Sequence, residues 1–424
     1  MSIADFSGRV RPDACPGALQ VHEAADGPLV RVRLPGGAIS PGRLRELAGC
    51  ATDLGSGVIE LTSRANVQVR GLRSPEGFAA RIAAAGLLPS AAHERVRNIV
   101  ASPLGGRGRC GLLRTQPLVE ALDRALCALP RLAGLPGRFL FAVDDGTGDM
   151  PGLGADVTFV PGAAEGRLLL AGVDAGLAVG ADAAVRRMIA AAEAFLDERE
   201  RPGGGRAAWR IGELVDGPGR IAARLGAAGH QATPDRIAAR LGADDHSATP
   251  DRMAARLGAA GDRATTPLPA APAQRAGRVD QRDGRVALEA VVPLGRLSAA
   301  QAGAVADVAA ARDGGPVRFT PWRTVVLLDL SPAAADRAAR SLEAAGLVTD
   351  PASPWGGVSA CTGRPGCAKS LADVREDARR WVATLDGPPA APVHWAGCER
   401  RCGLPRGRVV QMIATGDGYQ ERQQ

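Results

Sequence analysis

The stretch LPGGAISPGRLRELAGCATDLGSGVIELTSRANVQV, residues 34–69, returns in altered form as VPLGRLSAAQAGAVADVAAARDGGPVRFTPWRTVVL from Val292. A constant offset of 258 pairs Pro35 with Pro293, Gly37 with Gly295, Ser40 with Ser298 and Thr62 with Thr320. Further on, AAGL at 84–87 recurs at 344–347, and GLPGRFLFAVDDGTG from Gly134 resembles GLPRGRVVQMIATGDG from Gly403. A match of this length reads as an internal duplication, so the chain is expected to form two pseudo-equivalent halves related by a pseudo-twofold. Within each copy a strand (LVRVRL, RVALEAVV) leads through Gly and Pro into a helix capped by Ser40 or Ser298. Two alternating strands follow (VIELT and NVQVRGL; VRFTP and TVVLLDL), and an Ala-rich helix closes the unit. The pattern predicts an α+β half-domain of ferredoxin-like type, present twice and each time followed by a second, α/β module.

The expected division is a first half-domain over 16–90, module 1 over 91–215, a repeat-containing linker over 216–276, a second half-domain over 277–352, and module 2 over 353–424. The linker carries three copies of a 16-residue unit, RIAARLGAAGHQATPD and its relatives, starting at Arg220, Arg236 and Arg252. We read it as a spacer lengthened by repeat expansion, with His230 and His246 as repeat copies and not metal ligands. The chain has 424 residues, 46% of them apolar, ample for several cores. The formal charge of +7 comes from 52 basic residues, of which only Lys369 is not arginine. The arginines are scattered with almost no aromatic interleaving, which argues against nucleic acid and for an anionic small molecule. No signal-peptide pattern and no membrane-length apolar run occurs, so a cytoplasmic protein is expected, and a monomer, since duplication already supplies a twofold. In that compartment the eight cysteines are expected to be metal ligands or free thiols.

Four cysteines cluster in the last 64 residues as Cys361-x5-Cys367 and, after thirty residues, Cys398-x3-Cys402. Cys15, Cys50, Cys110 and Cys127 are scattered and read as ordinary buried thiols. Structural zinc sites usually separate paired ligands by two to four residues, so the first gap suits zinc poorly. A four-iron cubane is larger and is reached by thiolates from two loops, here rich in Gly363, Pro365, Gly366, Gly397, Gly403 and Pro405. A 4Fe-4S cluster on the four cysteines is the reading preferred, with zinc and free thiols as alternatives.

The cysteine spacing behind a duplicated half-domain resembles the sirohaem-dependent nitrite and sulfite reductase superfamily. The resemblance extends to LTSRANVQVRGL (Leu61–Leu72) and RNIVASPLGG (Arg97–Gly106), similar to that family's tetrapyrrole-contacting segments. It implies the duplicated nitrite/sulfite reductase fold and places Arg64, Arg97 and Asn98 against macrocycle carboxylates, which guanidinium groups bind as a fork. It also implies that the cysteine at the position of Cys402 ligates sirohaem iron where sirohaem is bound. Sulfite reductases carry two cations, two residues apart, on the strand after a Pro; here Arg138 fills the first position and Leu140 stands at the second. The segment GCERRCGLPRGRVVQMIATGDGY is similar instead to the precorrin-3B synthase branch. That branch implies precorrin-3A as a tetrapyrrole substrate, one oxygen atom from O2 entering at C20, and closure of a γ-lactone, a step of aerobic cobalamin synthesis.

The resemblance further implies that the cluster supplies electrons, and that a separate non-haem iron handles O2, because a four-thiolate cubane has no open position. Of His22, His93 and His394, His93 beside the Arg97 motif is its first candidate ligand. No G-x-G-x-x-G turn follows a strand, so NADH is expected to act through a separate reductase or ferredoxin. Lys369, near the expected start of a helix, is read as a contact to a substrate carboxylate or to the cluster's negative charge. Ala101 is read as the pseudo-equivalent of Cys361, so that only the C-terminal half keeps metal ligands. The alternative readings are a sirohaem-dependent sulfite or nitrite reductase and, from another class, a non-catalytic iron–sulfur electron carrier.

Overall fold

In the computed structural model, which describes residues 13–201, 207–229, 276–311 and 315–423, the duplicated stretch becomes the same unit twice. The first half-domain holds β1 (His22–Ala24), β2 (Gly27–Val32), β3 (Ala38–Ile39), α1 (Pro41–Leu54), β4 (Val58–Leu61), β5 (Val67–Val69) and α2 (Pro75–Ala84). Ser40 caps α1 by accepting from the Arg43 amide, with Pro41 preset in the first turn; Ser74 and Pro75 repeat the device for α2. Module 1 follows with β6 (Ile99–Ala101), α3 (Thr115–Ala128), β7 (Phe141–Val143), β8 (Val157–Val160), β9 (Gly166–Leu170), β10 (Val173–Val179), α4 (Ala181–Glu200) and α5 (Gly217–Gly229).

The second half-domain holds β11 (Gly277–Asp280), β12 (Val286–Val291), β13 (Arg296–Ser298), α6 (Ala299–Ala310), β14 (Val317–Phe319), β15 (Thr324–Leu330) and α7 (Pro332–Ala344). Ser298 caps α6 in a capping box with Gln301. Module 2 holds β16 (Val358–Ala360), α8 (Val374–Val382), β17 (Val393–Ala396), β18 (Val410–Thr415) and β19 (Gly418–Gln423). In each module the first three strands run parallel and the next antiparallel. Among the described residues no helix is long and apolar enough to cross a membrane.

The half-domains exchange strands. β13 of the second copy pairs with β4 of the first, and β3 of the first pairs with β14 of the second, completing two five-stranded sheets. Val30, Val32, Ile59 and Val69 on one side, with Leu288, Val305, Val325 and Leu327 on the other, then fuse into one buried cluster. Backbone conformation repeats with the sequence: Gly37 and Gly295 have φ 67° and 68°, and Ala65 and Arg323 have φ 55° and 62°. Gly37 has no alternative, because a Cβ there would lie 1.9 Å from the Phe319 carbonyl oxygen where the copies cross.

One polar row interrupts the apolar pattern. In register across the first sheet lie Arg31, Gln68, Glu60 and Arg296, from β2, β5, β4 and β13. Arg31 donates to Gln68 at 3.0 Å, Gln68 to Glu60 at 2.7 Å and Arg296 to Glu60 at 3.0 Å. Arg375 of α8 reaches the same carboxylate at 2.6 Å, so Glu60 joins the two half-domains and module 2. At the offset of 258 the second sheet reads Glu289, Val326, Arg318 and Ala38, and the row is not repeated.

Three expectations change. The pairing of GLPGRFLFAV with GLPRGRVVQM is off by one strand: β7 follows β6 in the sheet as β17 follows β16, which makes β18 the counterpart of β8. The Ser102 amide bonds to Val143 as the Cys361 amide does to Trp395, so Ser102, and not Ala101, matches Cys361. The first linker repeat is not a spacer. It forms α5, whose Ile221 and Leu225 are buried in module 1 and whose Arg224 pairs with the buried Glu198 at 2.6 Å. Module 1 therefore runs on to Gly229, while the rest of the first repeat, from His230, and the other two repeats, with His246, lie outside the described residues.

Glu60 is only 6% exposed, so removing it strands two guanidinium groups. Glu60→Ala is expected to lower unfolding stability by about 3 kcal/mol or more, measured by denaturant titration.

Candidate active site

β16 and β17 are parallel neighbours, so the loops at their C-terminal ends emerge side by side. The first carries Cys361 and Cys367, the second Cys398 and Cys402. The Gly397 amide donates to Cys361 Sγ at 3.2 Å, and the Gly397 carbonyl accepts from Leu371 at 2.8 Å, tying the loops together. A Cβ on Gly397 would sit 1.8 Å from Ser370 Oγ, and one on Gly363 2.9 Å from Val374 Cγ2, so both turns need glycine. Burial pushes the Cys361 thiol up, with Cys402 and Cys367 adding to it; burial, Cys398 and Cys367 do the same for Cys402. The four thiols thus share one site, which becomes stable as thiolates only when cations hold them.

Among the described residues the sole trio of ligand atoms within 4.8 Å of one another is Asp144, Asp145 and Asp149, so no three cysteine sulfurs are that close. A single zinc with bonds of about 2.3 Å would draw its sulfurs to roughly 4 Å apart. A cubane takes its cysteines at separate corners, and four cysteines on two neighbouring loops offer one ligand for each.

Beside this site lies an arginine-rich face. Alternation in LVRVRL sends Val30 and Val32 into the core and leaves Arg31 and Arg33 on the opposite face. Arg33, 2% exposed, binds the Arg95 and Pro16 carbonyls, while its second Nη has no partner, nor does Arg31 Nε. Arg64 donates to the Gly137 carbonyl at 3.0 Å, and burial followed by Arg210 lowers its pKa to about 10. Burial and then Arg31 and Arg64 hold Arg33 well below the usual arginine value; burial and then Arg210 depress Arg406. Arg138 acts on Arg31 and stacks over Trp209 at 4.7 Å. The carboxylate of Asp156, fully buried, already serves Arg210 at 2.6 Å and the Ile211 and Leu140 amides. So much uncompensated positive charge, with donors left open, suits a ligand bearing several carboxylates.

Of the residues singled out from sequence, the structure brings together Arg64, Asn98 and the turn before Arg138. Asn98 and Arg64 both donate to the Gly137 carbonyl, and Asn98 also accepts from Asn66 at 3.0 Å. Arg97, 5% exposed, is committed to a two-pronged pair with Asp123 of α3 at 2.7 Å. Lys369 lies exposed in a turn, and α8 begins only at Val374 under an Asp373 cap. His93 has both ring nitrogens engaged, with Ser90 at 2.8 Å and the Leu129 carbonyl at 3.0 Å, so it is a structural histidine. His394 is buried beside the cysteine loops, and burial with Arg323 lowers its pKa to about 3, leaving it neutral. Of the scattered cysteines only Cys50 is buried; Cys15 and Cys127 are half-buried and Cys110 is exposed. The reading from sequence missed Arg31, Arg33, Arg210 and Arg406. The alternation in β2 could have exposed the first two.

Comparison with known proteins agrees with this geometry. The model of the nitrite/sulfite reductase ferredoxin-like half domain matches residues 22–76 and 279–345, one match per half-domain. A solved structure of the NirA protein of Mycobacterium tuberculosis superposes with a TM-score of 0.67, at 23% identity over 93% of this chain and 73% of that one. The fold is that of the nitrite and sulfite reductases. A ferredoxin–nitrite reductase of Synechococcus elongatus is 28% identical over 89% of this chain and 74% of its own length. A precorrin-3B synthase of a Sinorhizobium species is 26% identical over 97% of this chain and 82% of its own length.

Within this fold the two module loops have diverged. Where module 2 presents cysteines, module 1 presents Ser102 and the Asp144–Asp145–Asp149 trio, whose oxygens build a turn. Asp144 accepts from the amides of Gly146, Gly148 and Met150, Asp145 from Gly106 and Thr147, and Asp149 from Ser102. Because assembly of a cluster on these cysteines would consume thiolates, and burial raises the pKa of Cys361 and Cys402, reconstitution is expected to depend on pH. Iron incorporated at fixed iron and sulfide is expected to rise from about pH 7 to about pH 9, followed by visible absorbance.

Proposed function

We propose that this chain is an oxidoreductase of the precorrin-3B synthase type, an O2-dependent monooxygenase acting on precorrin-3A. The observation that carries this reading is Leu140. It is 4% exposed, packed with Ala65, Val100 and Met150, and offers no charge where the reductases place the second cation for a small anion. The likeness to the Sinorhizobium precorrin-3B synthase along nearly the whole chain supports it. Arg31, Arg33, Arg64 and Arg138, with Asn98, would hold the carboxylates of the macrocycle and fix its orientation over the cysteine loops. Arg97, tied to Asp123, would brace that wall, and Lys369 would reach substrate only if the exposed turn folds inward.

Cys361, Cys367, Cys398 and Cys402 would hold a 4Fe-4S cluster, which when bound supplies electrons one at a time. One oxygen atom enters the substrate at C20 and a ring A acetate closes a γ-lactone; the second atom leaves as water, taking two electrons and two protons. The electrons would come from NADH through a ferredoxin or a separate reductase. Any non-haem iron must use ligands other than His93. A sirohaem-dependent nitrite or sulfite reductase is the second reading, favoured by the Synechococcus relative.

Two measurements separate them. Incubation of anaerobically purified, reconstituted protein with precorrin-3A under 18O2 is expected to add one labelled atom. A sirohaem spectrum as isolated, with nitrite- or sulfite-dependent turnover, would overturn the first reading. Arg64→Gln is expected to weaken binding of a polycarboxylate tetrapyrrole by about tenfold to a hundredfold in an absorbance titration, the loss of one charge-assisted contact.

A further inference from the structure

The loop that carries Cys361 and Cys367 is gripped from outside its own module. Arg70, just past β5 in the first half-domain, donates from Nη2 to the Gly366 carbonyl at 2.7 Å. The same guanidinium grips both carboxylate oxygens of Asp26, at 2.8 and 2.7 Å. Asp26 lies in the turn between β1 and β2, so cation and anion both belong to the first half-domain. Gly366 immediately precedes Cys367, and a Cβ on it would lie 2.7 Å from Asp26 Oδ2. Only glycine lets the cysteine loop come this close. Burial works against the charge on Arg70, yet Asp26, Glu60 and Cys367 outweigh it and hold its pKa above the usual arginine value.

The pseudo-equivalent contact shows what is particular here. At the offset of 258, Arg70 and Asp26 correspond to Leu328 and Gly284, which carry no charge. Module 1 seats its loop on the second half-domain by the opposite polarity: the loop contributes Arg107 and the half-domain Asp329, at 2.7 Å. Where the loop lacks the paired cysteines, a side-chain ion pair fastens it. Where it has them, the cation stands on the sheet and aims a donor at the backbone next to a sulfur.

We propose that Arg70 and Asp26 are positioning residues for the iron–sulfur cluster, holding the Cys367 loop and setting the cluster's reduction potential by an opposed pair of charges. The inference rests on the cluster reading of the four cysteines. An added electron makes a thiolate-bound cluster more negative, so the Arg70 cation favours reduction and the Asp26 anion opposes it.

The test is a redox titration, followed by electron paramagnetic resonance, of anaerobically reconstituted wild-type protein and the variants Arg70→Gln, Arg70→Lys and Asp26→Asn. Iron is counted in each. The midpoint is expected to fall in Arg70→Gln and rise in Asp26→Asn, each by about a tenfold change in the reduction equilibrium, about 59 mV for one electron. Arg70→Lys is expected to recover most of the wild-type potential. Shifts of the same sign in Arg70→Gln and Asp26→Asn, or unchanged potentials in variants that keep their iron, would overturn the proposal. So would loss of iron from every variant with the wild type fully loaded, the mark of a merely structural clamp. A wild-type protein that takes up no cluster would instead refute the cluster reading.

Discussion

Glu60 carries the constraint on which the rest of the molecule depends. Its carboxylate takes Arg296 from the exchanged strand and Arg375 from the helix behind the cysteine loops, with Gln68 on its other oxygen. A buried anion with two cations is costly to break, so the strand exchange, the first sheet and module 2 are bound into one register. The hydrophobic core beneath, common to both half-domains, supplies most of the cohesion but little of that specificity.

Two copies of one unit, crossed in this way, give two equivalent places where a module loop meets the opposite half-domain. The protein differentiates them by chemistry and not by fold. One crossing holds cysteines, the polar row through Glu60 and a cation on the sheet. The other holds Ser102, an aspartate-built turn and a row reading Glu289, Val326, Arg318 and Ala38. Symmetry sets the positions of the loops; a few substitutions decide which crossing carries the four cysteines.

The arginine face follows the opposite logic to the Glu60 hub. Burial first, and then the crowding of neighbouring arginines, depresses Arg31, Arg33, Arg64 and Arg406. Such a face lowers the stability of the unliganded protein, and a polyanionic ligand reverses that cost on binding. Leu140, packed with Ala65, Val100 and Met150, adds no charge beside that face, which on the proposed reading favours a large anion over a small one.

The duplication, the helix caps at Ser40 and Ser298, the strand alternation and the grouping of four cysteines were all legible in the sequence, because each is set by local spacing or local hydrogen bonding. Motif likeness singled out Arg64 and Asn98, which the structure brings together on the Gly137 carbonyl. Arg31 and Arg33 were half-legible, since alternation shows that they leave the core but not what they face. The strand exchange was not legible: a two- or three-residue strand has no periodicity, and its partner lies more than 230 residues away. Nor was the pairing of Arg97 with Asp123, the engagement of His93, or the grip of Arg70 on Gly366. Those depend on which surfaces the crossed halves bring together, and long-range contact is a property of the folded chain. The local sequence determined the units and the grouping of the four cysteines; only the tertiary structure decided which half each loop meets.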